Sequence, residues 1–245
     1  MTNSILILGA TSAIAQAVAR RHAEAGWRVT LVARHAARLA SIAADLTARG
    51  AAAVATHVVD LVADDPDAAL PALLAQGLPA RILLAHGLLG DVVEHLADPT
   101  SADANIAVNF TSPVRWMLAL LRALPTDAAC TFIVLGSVAG DRGRASNLLY
   151  GATKAGLAAF CDGLRHHLAR SAIRILLVKP GPVDTPMTAH MPKGGPIWST
   201  PERVAADIDR ALARGAAETY TPGFWRWIML LIRNLPRFLL HRTKL

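Results

Sequence analysis

Two cysteines, Cys130 and Cys161, are all that 245 residues contain. Both lie in apolar segments, which suits buried free thiols, and two are too few for a disulfide framework or a thiolate metal centre. No metal site is expected. Charge is also sparse. Charged residues make up 18% against 53% hydrophobic ones, which excludes a disordered chain and leaves ample material for a core. Linkers rich in Ser, Gly or Pro, blocks of charge and internal repeats beyond a strand–helix alternation are all missing, so one large α/β domain is expected. The N-terminus lacks the basic flank and cleavage pattern of a signal peptide before Ile5-Leu6-Ile7-Leu8, which points to the cytoplasm. Acidic residues are missing after Glu218. Arg226, Arg233, Arg237, Arg242 and Lys244 therefore supply five of the seven net positive charges within the last 23 residues. The rest of the chain is close to neutral, which argues against a nucleic-acid partner.

What is present is a regular alternation. Short apolar runs at 5–8, 29–32, 53–59, 82–85, 131–135 and 173–178, with a weaker one at 218–221, read as strands buried on both faces. Stretches of helical period lie between and after them, at 13–25, 37–49, 66–76, 102–124, 150–170 and 201–214. This order predicts a Rossmann-type doubly wound parallel sheet of about seven strands with helices on both faces.

The first strand runs into Gly9-Ala10-Thr11-Ser12-Ala13-Ile14-Ala15 and then a helix. A dinucleotide needs a tight turn, close backbone approach and a helix N-terminus aimed at its pyrophosphate. Gly9, Thr11, Ser12 and Ile14 are the candidate contacts, although Ala13 and Ala15 stand where glycines are usual. The second strand ends in Ala33-Arg34-His35. Ala33 leaves room and Arg34 can pair with a 2′-phosphate, which favours NADP(H) over NAD(H); Arg34 would otherwise be a solvated arginine at a strand end. Asp60, closing the third strand, can accept the adenine amino group or cap the next turn.

Ser137 follows a strand in Leu135-Gly136-Ser137, and thirteen residues later Tyr150-Gly151-Ala152-Thr153-Lys154 opens a long helix. Tyr150 and Lys154, four apart, share a helical face. A tyrosine of pKa about 10 is a poor acid near neutrality. An ammonium about 4 Å away at an effective dielectric of about 20 is worth about 4 kcal/mol, or about three pKa units, and would bring it to working pH.

With these residues in view, the chain resembles the short-chain dehydrogenase/reductase family over about 1–222. Asn109 in Ile106-Ala107-Val108-Asn109-Phe110 matches the family's fourth catalytic residue, and Pro180-Gly181-Pro182-Val183-Asp184-Thr185 resembles its Pro-Gly segment. The resemblance implies an NAD(P)(H)-dependent interconversion of alcohol and ketone. Tyr150 protonates the carbonyl oxygen, Ser137 hydrogen-bonds it, Lys154 also holds the nicotinamide ribose, and Asn109 supports a water relay. Pro180, Gly181, Val183 and Thr185 lie at the nicotinamide, with Thr185 on its amide. Leu84-Ala85-His86-Gly87 departs from the family's usual Asn-Asn-Ala-Gly. Members commonly form dimers and tetramers, so a homodimer or homotetramer is expected.

Residues 87–91, 139–147, 187–190 and 224–237 further resemble the reductases of decaprenylphosphoryl-ribose 2′-epimerases, which reduce a 2-keto pentofuranose carried on a polyprenyl phosphate. The alternatives are a cytosolic reductase of an acyl, steroid or xenobiotic ketone, and a non-catalytic NADP-sensing Rossmann protein. The segment 182–200 is expected to be a mobile lid whose Met187, Met191, Ile197 and Trp198 face the substrate. Residues 223–245 read as a basic amphipathic tail, too short and too charged to span a bilayer, that meets a membrane surface through 223–240 with Trp225 and Trp227 buried in it. The alternative is a helix packed on the body or on a second subunit.

Overall fold

The computed structural model describes residues 3–125 and 127–243. In chain order the elements are β1 (Ser4–Leu8), α1 (Ala13–Glu24), β2 (Arg28–Ala33), α2 (Ala36–Ala48), β3 (Ala53–Val58), α3 (Pro66–Leu73), β4 (Arg81–Leu84), α4 (Val92–Ala97) and α5 (Pro99–Ile106). There follow a π-helical turn (Ala107–Thr111), α6 (Ser112–Ala123), β5 (Thr131–Leu135), α7 (Leu148–His167), β6 (Arg174–Pro180), α8 (Pro201–Ala213), β7 (Glu218–Thr221), α9 (Trp225–Asn234) and α10 (Arg237–Leu240).

The seven strands form one sheet in the order β3-β2-β1-β4-β5-β6-β7, with every pairing parallel. The expected doubly wound sheet is therefore present. Its strands are apolar on both sides because both sides are covered. Ile5 and Ile7 of β1 point into a layer with Val18 of α1, Leu39 of α2 and Ile208 of α8. Leu6 and Leu8 point the other way, toward Leu70 of α3, Trp116 of α6 and Leu157 of α7. Strand order reverses between β1 and β4, and this switch point opens a crevice at the carboxyl ends of the strands.

Some expectations need correcting. The single helix expected over 102–124 is broken at the π-helical turn. Pro113, at the start of α6, has no N–H to give to the carbonyl of Asn109, so a regular turn loses a bond there. Helix α4 was not foreseen. It has six residues, too few to show a period, and is started by Asp91, whose side chain accepts from the N–H groups of Val93 and Glu94.

The tail splits into α9 and α10, parted by Leu235 and Pro236. Trp225, expected in the lipid, is buried in the chain's own body, where it packs with Met229 and Ile232 against Val138. The spacing 225, 229, 232 sets one stripe of α9 inward, and Trp227, Leu230 and Leu231 remain outside. Lys244 lies outside the described residues. No helix among them is long and apolar enough to cross a membrane.

Candidate active site

The crevice is a cleft of about 770 Å³. Gly9, Thr11, Ser12, Ile14, Arg34, Asp60, Ser137, Tyr150, Lys154, Pro180, Gly181, Val183 and Thr185 all line it, so residues 176 positions apart in the chain meet at one sheet edge.

The turn after β1 is shaped for close approach. Gly9 has φ +87°, and a Cβ there would stand 2.5 Å from the backbone nitrogen of His86. Gly9 and Ala10 both donate to the carbonyl of Val32, which holds the turn against β2. Ser12 is the N-cap of α1, yet its side chain makes no capping bond. The first N–H groups of α1 are thus left for an anion, and an orphaned helix start lining a cleft at the switch point fits a pyrophosphate.

Arg34 is 66% exposed, and its guanidinium stands 3.8 Å from an Asp60 oxygen, a loose pairing that a 2′-phosphate can displace. The Asp60 carboxyl is held below its usual range chiefly because it accepts the N–H groups of Val62 and Ala63. Asp60 therefore does cap the following turn. These residues suit a nicotinamide dinucleotide, and Thr185, Pro180 and Gly181 line the same cleft.

Ser137 sits two residues beyond the end of β5. Its Oγ accepts from Ala139 N at 3.0 Å, which leaves the hydroxyl proton available to a group in the cleft. Burial raises the Tyr150 pKa above its ordinary value, and the nearby Ser137 hydroxyl works against that rise. The ammonium effect expected from the four-residue spacing is not realised. Lys154 Nζ lies 5.7 Å from the Tyr150 ring centre and donates instead to the carbonyl of Leu135 at 2.9 Å. Lys154 is itself pushed down to about 8 by burial.

Asn109 does not line the cleft. It is fully buried in the π-helical turn, where its Oδ1 accepts from Leu88 N at 3.0 Å and its Nδ2 donates to Leu88 O and to Asn105 Oδ1. It grips the chain just beyond β4 and so shapes the cleft from behind.

The lid segment is pinched at its base, where Asp184 N donates to Ser199 O and Ser199 N to Pro182 O. Met187 and Met191 line the cleft, whereas Ile197 and Trp198 do not. The carbonyl of Ile197 receives the indole N–H of Trp225 instead, so this arm of the segment is tied to α9.

Three lining residues escaped sequence reasoning. His86 is held at about 4, mainly by burial and next by Lys154, and its Nε2 lies 3.0 Å from Ser112 Oγ. Its signal was the departure from the family pattern after β4. Arg144 sits in the loop between Ser137 and Tyr150. Trp225 closes the cleft beside Gly181, where a Cβ would fall 2.0 Å from the indole nitrogen.

A family model described as short chain dehydrogenase matches residues 3–194. An uncharacterised oxidoreductase of Streptomyces coelicolor is 38% identical over 98% of this chain and 95% of its own length. One from Mycobacterium tuberculosis is 38% identical over 97% and 96%. Among solved structures, a short-chain dehydrogenase of Sphingobium yanoikuyae in complex with NADPH superposes with a TM-score of 0.82 at 24% identity, covering 96% of this chain and 97% of that one. Fold, cleft and relatives agree: the chain belongs to the short-chain dehydrogenase family and is an NAD(P)-dependent oxidoreductase acting on CH–OH groups.

Proposed function

We propose that the chain is an NADP(H)-dependent carbonyl reductase whose reacting carbonyl sits between Tyr150 and Ser137. The observation that carries this is that Ser137 and Tyr150 line one cleft with Lys154 and with the uncapped start of α1. When bound, reduced nicotinamide supplies a hydride to the carbonyl carbon. Tyr150 Oη gives its proton to the carbonyl oxygen, and Ser137 Oγ donates to that oxygen and holds it in place. Both donors stabilise the charge that develops there. Lys154, held on the Leu135 carbonyl within the cleft wall, would also hold the nicotinamide ribose. Asn109 takes part through the backbone it fixes and a water relay behind Lys154.

In this reading residues 1–222 form the catalytic domain, and 223–245 are a basic segment whose Trp225 completes the cleft wall. The solved NADPH complex of the Sphingobium relative and the loosely held Arg34 support the phosphorylated cofactor. Residues 182–200 act as a lid, with Met187 and Met191 over the substrate. The assembly is a homodimer or homotetramer.

The finer substrate we propose is a 2-keto sugar carried on a polyprenyl phosphate. It is supported by the outer face of α9 and α10, where Trp227, Leu230, Leu231 and Phe238 are exposed beside Arg226, Arg233 and Arg237. Such a face suits contact with an anionic membrane surface, each arginine adding about 1 kcal/mol. Sedimentation with anionic and neutral vesicles tests this; no binding to either would leave a soluble ketone as the substrate. For the chemistry, NADPH oxidation is followed with a ketone panel. Tyr150→Phe should lower turnover about 100- to 10,000-fold with NADPH binding nearly intact. Parallel loss of binding and turnover would make Tyr150 a structural residue.

A further inference from the structure

Of the cations on the cleft wall, one has no hydrogen-bond or ion-pair partner among the described residues. Arg34 faces Asp60, and Lys154 donates to Leu135. Arg144 lines the same cleft, but its guanidinium makes no hydrogen bond or ion pair among the described residues, and its Nε is fully buried.

The acids that could have answered it are committed elsewhere. Asp60 and Asp91 are the acidic residues among those described on the cleft wall, and Asp91 accepts the first N–H groups of α4. Asp141, three residues before Arg144, is also taken. Its Oδ1 receives Lys179 Nζ at 2.8 Å and its Oδ2 the Tyr220 hydroxyl at 2.7 Å. Burial lowers the Arg144 pKa, yet a guanidinium stays charged in a protein. A half-buried cation that feels Asp141 only through space, while that acid is bonded to Lys179 and Tyr220, is under-compensated, and its planar fork matches the two oxygens of an oxyanion.

The anion is not one of the cofactor's. Pyrophosphate and 2′-phosphate positions lie beyond β1 and β2, at α1 and Arg34. Arg144 lies across the switch point, in the loop that leaves β5 after Ser137 and enters α7 before Tyr150. This loop is held firmly. Asp141 anchors it to β6 and β7, and Arg142 donates to the carbonyls of Arg233 and Leu235 at the end of α9.

We propose that Arg144 is the anion-recognition residue of the substrate subsite, and that the natural ketone carries an oxyanion group seated on its guanidinium. This rests on the reductase reading of the cleft and adds a charge requirement to it. Carboxylate, sulfonate and phosphate share the needed chemistry, and the phosphate can be free in solution or borne by a lipid.

The test is calorimetric titration of the full chain saturated with NADP+, so that the cofactor's own phosphate sites are filled. The soluble pair of probes is dihydroxyacetone phosphate and dihydroxyacetone. The lipid pair is farnesyl phosphate and farnesol, each in phosphatidylcholine vesicles. The wild type should bind the charged member of at least one pair more tightly than its neutral mate. Arg144→Ala and Arg144→Gln should weaken that binding about 10- to 100-fold, and Arg144→Lys should regain part of it. The tail is intact in every variant, so vesicle affinity common to all of them does not count. Which pair responds tells a lipid phosphate from a free one. Equal binding of charged and neutral probes, or full anion affinity in Arg144→Ala, overturns the proposal. So does a loss of NADP+ affinity confined to the Arg144 variants, which would hand the residue to the cofactor. Failure of the wild type to bind NADP+ at all would instead sink the reductase reading beneath it.

Discussion

Lys154 Nζ donates to the carbonyl oxygen of Leu135 at 2.9 Å, and this bond ties the helix that carries Tyr150 to the strand that ends beside Ser137. The ammonium is thus held ready within the cleft wall, at a cost to the fold.

That cost has a pH signature. Burial pushes Lys154 down to about 8 from its ordinary 10.5. Between those values the folded chain binds fewer protons than the unfolded one, so stability rises with pH across the window. The penalty is fully present below about 8 and gone above the ordinary value. Lys154→Met should therefore stabilise the fold near neutrality, by up to about 3 kcal/mol, while turnover collapses. Urea unfolding at neutral and alkaline pH reads this. A destabilised variant near neutrality would mean that the bond to Leu135 outweighs desolvation.

Cofactor choice should follow Arg34. Among the described residues its side chain makes only a 3.8 Å approach to Asp60, so its loss should leave the melting temperature unchanged. Arg34→Ala should weaken NADPH binding about tenfold or more and leave NADH binding alone. Adding Ala33→Asp should invert the preference. Fluorescence titration with both cofactors checks it, and an unmoved ratio would show that the 2′-phosphate lies elsewhere.

Asn109→Leu should release Leu88. The substitution removes the acceptor for Leu88 N and the donor to Leu88 O, so at least about 1 kcal/mol of stability should go. Hydrogen exchange at the Leu88 amide should quicken before global unfolding, and turnover should fall with it. Undisturbed exchange together with lost turnover would favour a direct part in proton relay.

Trp225 and Trp227 should behave as opposites. Trp225→Ala empties a buried site and should cost about 3–5 kcal/mol. Removing the chain beyond Thr221 should be worse, since it uncovers Val138 and one wall of the cleft; an intact tail-less enzyme is not expected. Trp227 is 68% exposed, and Trp227→Ala should shift stability by less than about 0.5 kcal/mol. Its readout is weaker binding to anionic vesicles.

The sheet was legible because strands buried on both faces write continuous apolar runs, and helices between them write a longer period. The lining of the cleft was legible where a residue type and a spacing carry chemistry, as at Gly9, Ser137 and Tyr150. Asn109 was found by its motif, but its burial behind the cleft depends on a π-helical turn that no period announces. Arg144 was hidden because its meaning lies in the partners it lacks. That Asp141 belongs to Lys179 and Tyr220 can be known only once β6 and β7 lie side by side. Trp225 was misplaced because an amphipathic helix looks the same in sequence whether lipid or protein covers its apolar stripe.

The contact of Trp225 with Gly181 also sets how freely the C-terminal helix can drift among descendants of this chain. Position 225 is bound to the cleft through Gly181, and 225, 229 and 232 pack together with Val138, so each can change only in step with its partners. Positions 227, 230 and 231, a few ångströms away on the same helix, answer to none of these constraints. A lineage can therefore rewrite what the outer face of α9 adheres to, one substitution at a time, without reopening the wall behind the reacting carbonyl.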